Sequence, residues 1–447
     1  MRRAFAVAFL RIVVVGGAAL MTSPSSAEPM LGDDGISIPS AEPTQKQDTG
    51  DAVALFKAGD YDGSLKLWRE AAKANADFPP AETIMAQLFL QANMRKEAQE
   101  ALQRAIADAP SDPEAYMLLA GLAMQRGDAA KAEPLYEKAD SLMAGFNKSE
   151  KRKAMLQPQV YWGLAGIAET HKDWAGMRKV LDACLKLDPK NGAVRQRLAY
   201  CLFQQKDIDG ALANLREGQK IEPKSLTPEI VLAQFYQQSR DPENAKKWML
   251  AGVAAAPNDL KTRLAAGYVA VDLNDKEEGM KHAIAAMQID PMSIDAKMLR
   301  GLISVCQKDY VASELFFSAA LEKMPNDFIA SNNLSLALIE QNDPPKSKRA
   351  LELSEANFKK FPKSTSAAST YGWVLYKLGR LDDAEKALQA AAAIGPMSVD
   401  TSYYMARLLI DRGHKDEAKK VLEAGLKRKG LSMCRIDAEQ LLKQLSK

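Results

Sequence analysis

The sequence predicts an all-α chain built as an array of about eleven helix-turn-helix units, and three observations predict it. A proline recurs at a fixed interval: Pro189, Pro223, Pro257, Pro291 and Pro325 lie 34 residues apart, and Pro362 and Pro396 resume the count after a three-residue insertion. Self-similarity at such a period marks stacked repeats. Within each period, apolar residues fall at spacings of three and four, which puts them on one face of each of two short helices. The composition agrees: 447 residues, 47% apolar, 7% aromatic and 26% charged, a balance suited to small Ala- and Leu-faced helices and unlike that of an extended disordered chain. A polytopic membrane protein is excluded, because the only strong apolar run lies at the start and a spanning helix needs about 20 apolar residues.

Taken in order, the basic head Met1-Arg2-Arg3, the apolar stretch Ile12 to Met21 and the small residues Ser25 and Ala27 read as a secretory signal, residues 1–27, cleaved after Ala27. The alternative is an uncleaved anchor, although Arg11 and Pro24 leave its apolar run short for a span. The signal holds three Arg and no acidic residue, so the chain beyond it is balanced in charge. That balance supplies no basic footprint for nucleic acid or an anionic membrane. Residues 28–50, rich in Pro, Gly, Ser, Asp and Gln, read as a flexible linker.

The array is expected over residues 51–432, in units beginning near 45, 79, 113, 158, 192, 226, 260, 294, 328, 365 and 399. In the unit from Pro113, the first helix carries Tyr116, Leu119, Ala120 and Ala123, Gly127-Asp128 makes the turn, and the second carries Ala132, Tyr136 and Ala139. The same offsets give Leu198, Ala199, Leu202, Ala211 and Leu215, and later Tyr371, Gly372, Leu375, Ala384, Leu388 and Ala391. The small residues at Ala120, Ala199, Ala233, Gly267, Gly301 and Gly372 mark where two helices of a pair come closest. The recurring proline ends each second helix by removing a donor and restricting the residue before it.

This pattern resembles the tetratricopeptide repeat, of an exported bacterial type, and the resemblance implies a right-handed superhelical solenoid with its first helices along the concave face. Stability in such an array comes from each unit and its neighbours, and its ends need covers. Residues 433–447, with Ile436, Leu441, Leu442 and Leu445 among charged and polar residues, suit a C-terminal solvating helix. The large aromatic that family members often carry early in the first helix is present only as Tyr116 and Tyr161, and the last unit has Gly430 in place of its proline. Eleven extra residues near 147–157 include Lys148, Glu150, Lys151, Arg152 and Lys153, either a basic docking spur or an extended helix pair with a solvated charged face.

By the same resemblance, residues one turn beyond the packing places point into a groove: Trp162, Tyr200, Phe203, Gln234, Gln237, Tyr268, Asn332, Trp373, Tyr376, Tyr403 and Arg407. Aromatic rings with polar tips suit binding surfaces, and the alternative for each is packing between successive first helices. The Lys and Asn arrangement by which some family members clamp a C-terminal carboxylate is not matched. The function implied is a non-enzymatic, exported binding scaffold, periplasmic or extracellular, holding a protein or extended peptide. A second reading is an accessory in envelope polysaccharide binding or export, with peripheral envelope association, because Tyr371 to Arg380 looks like units of exported bacterial repeat proteins of polysaccharide systems.

No catalytic, cofactor or metal site is expected. His171, His282 and His414 lie in separate units without a Cys or His at ligand spacing, and neither a phosphate loop nor a nucleophile elbow is present. Cys184 and Cys201, in successive units, either form a disulfide or pack as buried thiols. A weak junction is expected at 260–305: Ala266, Gly267, Ala270, Gly279, Ala283 and Ala286 fill the packing places of one unit, and Arg300 stands in the next where Leu198 and Leu232 stand elsewhere. That junction should open first and act as a hinge; the competing reading is close packing of these small residues, with Tyr268 or Phe316 filling the space.

Overall fold

The computed structural model describes residues 43–428 and 432–446, with side chains from residue 49. The signal, most of the linker and Gly430 lie outside the described residues. Among those described there are 23 helices and no strand, and the chain divides into two compact units at Glu222 and Pro223. The observed architecture is the all-α superhelical repeat fold.

The first unit consists of five helix pairs: α1 (Pro43–Lys57) with α2 (Tyr61–Ala74), α3 (Ala81–Gln91) with α4 (Arg95–Asp108), α5 (Pro113–Gln125) with α6 (Ala129–Met143), α7 (Glu150–Thr170) with α8 (Trp174–Leu187), and α9 (Gly192–Gln204) with α10 (Ile208–Ile221). Residues 43–50, assigned above to the linker, are helical and open α1. The second unit begins with α11 (Pro228–Gln238) and α12 (Pro242–Ala255), α13 (Leu260–Asp272) and α14 (Lys276–Ile289), and α15 (Ile294–Cys306) and α16 (Tyr310–Lys323). It continues with α17 (Phe328–Ile339) and α18 (Pro344–Lys360), α19 (Thr365–Lys377) and α20 (Leu381–Ile394), and α21 (Val399–Asp411) and α22 (Lys415–Leu426). The single helix α23 (Arg435–Leu445) ends it.

One local device builds every pair. Between its two helices a residue takes the left-handed conformation: Gly59, Asn93, Gly127, Lys172 and Lys206 in the first unit, and Arg240, Asn274, Lys308, Asn342, Gly379 and Gly413 in the second. The next N–H then returns to a carbonyl at the start of the preceding turn, as from Asp60 to Leu55, Asp128 to Ala123 and Asp309 to Ser304, which closes the first helix. In most pairs that next residue is Asp, and its carboxylate accepts a backbone N–H of the second helix, as at Asp60, Asp128, Asp207 and Asp309. The prolines at the repeat interval fall beyond the second helix, so that Pro189 follows the end of α8 at Leu187.

Inside the first unit, Trp68, Ile84, Leu102, Met143, Leu156, Met177 and Leu181 are fully buried. Close approach of α6 to α7 depends on Gly163, where a Cβ would stand 2.2 Å from the Tyr136 ring.

The inserted segment departs from both sequence readings. Its residues do not end at Pro158 but run through it as the first turns of α7. Lys148, Glu150 and Lys151 are exposed, whereas Arg152 is buried and reaches α5. Its guanidinium donates to both carboxylate oxygens of Asp112 at 2.9 Å and to Glu114 Oε2 at 2.7 Å. Ser149 caps the helix by accepting from the Arg152 N–H and donates its own hydroxyl to Asp77. The insertion is therefore tied to the repeats before it by a buried charge cluster, neither a free spur nor a wholly solvated face.

The junction expected to be weak is filled from the following helix. A Cβ on Gly267 would stand 2.4 Å from Leu299 Cδ2, and one on Gly279 would stand 3.0 Å from Val271 Cγ2 and 3.4 Å from Ile303 Cδ1. Leu299 takes the interior place, while Arg300, beside it, is half-buried with its guanidinium over the Phe316 ring at 5.9 Å. Small residues here admit large neighbours instead of leaving a gap. Amides of residues 260–305 should therefore exchange no faster than those of 365–398 in peptide-resolved hydrogen exchange; distinctly faster exchange would restore the hinge.

All four cysteines are free thiols. Cys184 and Cys201 donate to different backbone carbonyls, those of Pro158 and Trp174, so the considered disulfide is not formed.

Candidate functional site

The predicted groove residues divide between the two units. In the first, Trp162 on α7 is half-buried and Arg197 of α9 lies over its ring at 4.4 Å. Arg197 also donates to the Trp162 carbonyl at 3.1 Å and to Glu169 Oε2 at 3.0 Å. Nε of Arg197 and Oε1 of Glu169 are buried without a hydrogen-bond partner. Tyr200 is half-buried, with its ring edge-to-face against Trp174 at 6.0 Å, and Phe203 is buried. The sequence carries no local sign of the buried Arg197–Glu169 pair, whose members stand 28 residues apart in successive helix pairs.

In the second unit Gln234 on α11 and Tyr268 on α13 are half-buried. Gln237 donates to Asp272, whose carboxyl is pushed up to about 7 by burial against that hydrogen bond. Asn332 on α17 is interior, and its Oδ1 has no hydrogen-bond partner.

The remaining four form one cluster. Trp373, 6% exposed, stacks on Tyr376 at 5.1 Å and on Tyr404 at 4.4 Å, and meets Tyr403 at 5.9 Å. Its indole N–H donates to Glu340 Oε1 at 2.6 Å, and Lys377 donates to the other oxygen of that carboxylate at 3.1 Å. Tyr376 donates to Asp411 at 2.7 Å, and the Arg407 guanidinium lies near enough to the phenols of Tyr376 and Tyr403 to interact with both electrostatically. Trp373 is thus an interior member of the cluster, with Tyr376, Tyr403 and Arg407 half-buried around it.

The 34-residue register extends this surface into helices that contributed only Asn332 from sequence. Met298 holds in α15 the place of Asn332 in α17, and Leu302 and Leu336 hold the place that Trp373 and Arg407 hold in α19 and α21. All three are buried. What lies over part of this face is the chain itself: Met433 and Cys434, just before α23, pack on the same apolar cluster as Met298, Leu302, Leu336, Trp373 and Tyr404. Asp400, interior at the start of α21, accepts the Ser432 hydroxyl at 2.6 Å and the Cys434 N–H at 2.8 Å. Burial raises the Asp400 carboxyl, and these two bonds oppose that shift. Beyond them Asp437 accepts from Lys308, in the α15–α16 turn, at 2.8 Å.

Burial pushes the thiols of Cys184 and Cys201 up to about 11 and that of Cys306 to about 12, and Cys434 lies well above its usual value for the same first reason. Thiols held protonated are poor nucleophiles and metal ligands. Among the described residues no three His, Cys, Asp or Glu side chains are grouped to hold a metal ion, and no helix is long and apolar enough to cross a membrane.

Paired helices joined by a conserved geometry of turn and cap, each presenting the same face to the next, define a helical-repeat protein. Tetratricopeptide repeat family models match residues 55–122, 171–227 and 375–432, then 332–398, and 113–142, so the repeats over these segments are tetratricopeptide repeats. No curated protein matches the chain. Among solved structures it is similar to yeast Tom70, at 14% identity over 90% of this chain and 96% of that one, TM-score 0.37. Others are the APC/C hetero-tetramer Cut9-Hcn1, at 13% over 90% and 84%, TM-score 0.43, and a tetratricopeptide repeat protein from Parabacteroides merdae, at 12% over 65% and 100%, TM-score 0.35. Repeats of this kind generally serve as non-catalytic scaffolds for protein–protein interaction.

Proposed function

We propose that the protein is a non-enzymatic, exported scaffold that holds an extended segment of a protein partner along the inner face of its repeats. The observation that carries this reading is the continuity of that face in the second unit. Leu302, Leu336 and Trp373 follow one another at equivalent places on α15, α17 and α19, with Tyr376, Tyr403 and Arg407 beside them. Apolar and aromatic area with fixed polar tips is what a protein ligand needs for an anchor and an orientation. Export rests on the basic head, apolar run and small residues of Met1 to Ala27.

A photo-crosslinking residue in place of half-buried Tyr268, on the first helix α13, tests the reading in the producing cells. The expected result is one dominant adduct that yields peptides in mass spectrometry, on a protein whose native N-terminus is Glu28. An adduct yielding glycan alone would favour the polysaccharide role, absence of any adduct would overturn the scaffold reading, and an intact Met1 terminus in the membrane fraction would overturn export with cleavage.

A further inference from the structure

We propose that Ser432–Asp437 occupies, in cis, a peptide-binding site of the second unit, and that the partner segment is one that reproduces its chemistry: a short apolar stretch followed by a carboxylate. The inference rests on the scaffold reading above and names the site and the ligand class.

Three kinds of contact make the segment resemble a bound ligand. Asp400 receives both the Ser432 hydroxyl and the backbone N–H of Cys434, so an interior carboxylate binds main chain as well as side chain. Backbone recognition of this type accepts many sequences. Met433 and Cys434 supply the apolar contact, packed on the apolar cluster that contains Leu302, Leu336, Trp373 and Tyr404. Asp437 supplies the charge, held by Lys308 at 2.8 Å. Lys308 belongs to the pair α15–α16 and Asp400 to the pair α21–α22, so the segment passes two intervening pairs. A helix that only covered the end of the array would have no need of this reach. The covering is done by the rest of α23, whose Ala438, Leu441, Leu442 and Leu445 pack with Val399, Ala406 and Leu422 of the last pair.

The two anchors of the segment are separable from that cover. Lys308 is 53% exposed and Asp437 26%, a partly solvated ion pair that contributes modestly, and the Ser432 bond is a single hydrogen bond to a carboxylate. A segment held this way opens in a minor population, and a competitor's apparent affinity is reduced by the fraction of open sites. The partner's segment binds when the cis segment leaves, and α23 stays docked through its leucines.

The probe is a fluorescein-labelled peptide with the sequence Ser-Met-Cys-Arg-Ile-Asp-Ala, that of residues 432–438, followed by anisotropy on full-length protein. Binding to the Ser432→Ala, Asp437→Lys double variant should be at least about tenfold tighter than to the wild type. The single variant Ser432→Ala, which leaves the cis Asp437–Lys308 pair in place, should bind the probe with an affinity between those two. Hydrogen exchange on the same samples should show residues 432–437 released in the double variant and 438–445 still protected. Equal affinity in all three proteins, or no binding to a variant whose segment is shown to be released, overturns the proposal. If the Tyr268 position still crosslinks a protein partner in that event, the cis site alone is refuted; if that adduct is missing too, the scaffold reading falls with it.

Discussion

Replacing Arg152 with Ala is expected to lower the stability of the first unit by about 3 to 5 kcal/mol, the cost typical of removing one partner from a buried ion cluster. Arg152, Asp112 and Glu114 are each 3% exposed or less, so neither carboxylate can turn to water when the guanidinium is gone. The loss should depend on pH. Burial raises the Glu114 carboxyl above 4.5, with Arg152 pulling it back, and without Arg152 it rises further. A carboxyl whose folded value exceeds its unfolded value favours the folded state below the unfolded value and loses that contribution as pH rises through the folded one. The Arg152→Ala defect should accordingly be largest near neutral pH and shrink as the pH falls toward 4.5. Urea titrations at several pH values, with hydrogen exchange to localise the change to residues 43–222, check this. An equal defect at every pH would mean that the lost contacts of the Arg152 side chain, including Phe146 under its guanidinium at 5.2 Å, outweigh the charge.

Trp373→Ala is expected to cost about 3 to 5 kcal/mol in the second unit, the range for truncating a buried aromatic. The indole is clasped between Tyr376 and Tyr404 and hydrogen-bonded to Glu340. Trp373→Phe separates the parts: it keeps a stacked ring and gives up the bond to Glu340, which Lys377 still neutralises, at about 1 kcal/mol. Protection of residues 365–411 against exchange should fall in the Ala variant and hold in the Phe variant. Unchanged stability of Trp373→Ala with weaker partner crosslinking would mean that the indole acts by touching the partner and not by packing within the unit.

Much of this was legible from sequence because the repeat states its rule so many times. The spacing of the prolines locates every pair from α7 onward, and the repeat register puts Tyr376, Tyr403 and Arg407 on the face expected to line the groove. The turns were less visible. Gly stands at only four of the left-handed positions, and Asn, Lys or Arg stands at the others, so a search for glycine finds a minority of them; the Asp that follows is the steadier signal, through its capping role. The burial of Trp373 is not legible from its own helix, because partners that enclose it come from elsewhere: Tyr404 from α21 and Glu340 from the cap of α17. Arg152 misled for the same reason. Its neighbours in sequence are exposed charges, and its partners lie at the start of α5, in another pair. Residues 43–50 carry Thr44, Gln45, Lys46 and Gln47, too polar to announce a helix.

The link between Lys308 and Asp437 spans 129 residues, whereas side-chain bonds between neighbouring pairs, such as Gln87 to Glu114 or Tyr376 to Asp411, span 27 and 35. Short-range contacts form early because little chain entropy is lost in closing them, and distant ones wait for the rest. The order of assembly follows from that difference. A chain folding from its N-terminal side would complete α15 through α21 while the residues that cover them are still unmade or still in transit. For that interval the inner face of the second unit is open, and a partner present at the place of folding meets it without a competitor. The timing of an encounter, as much as its strength, would then decide whether the chain ends up holding a partner or holding itself.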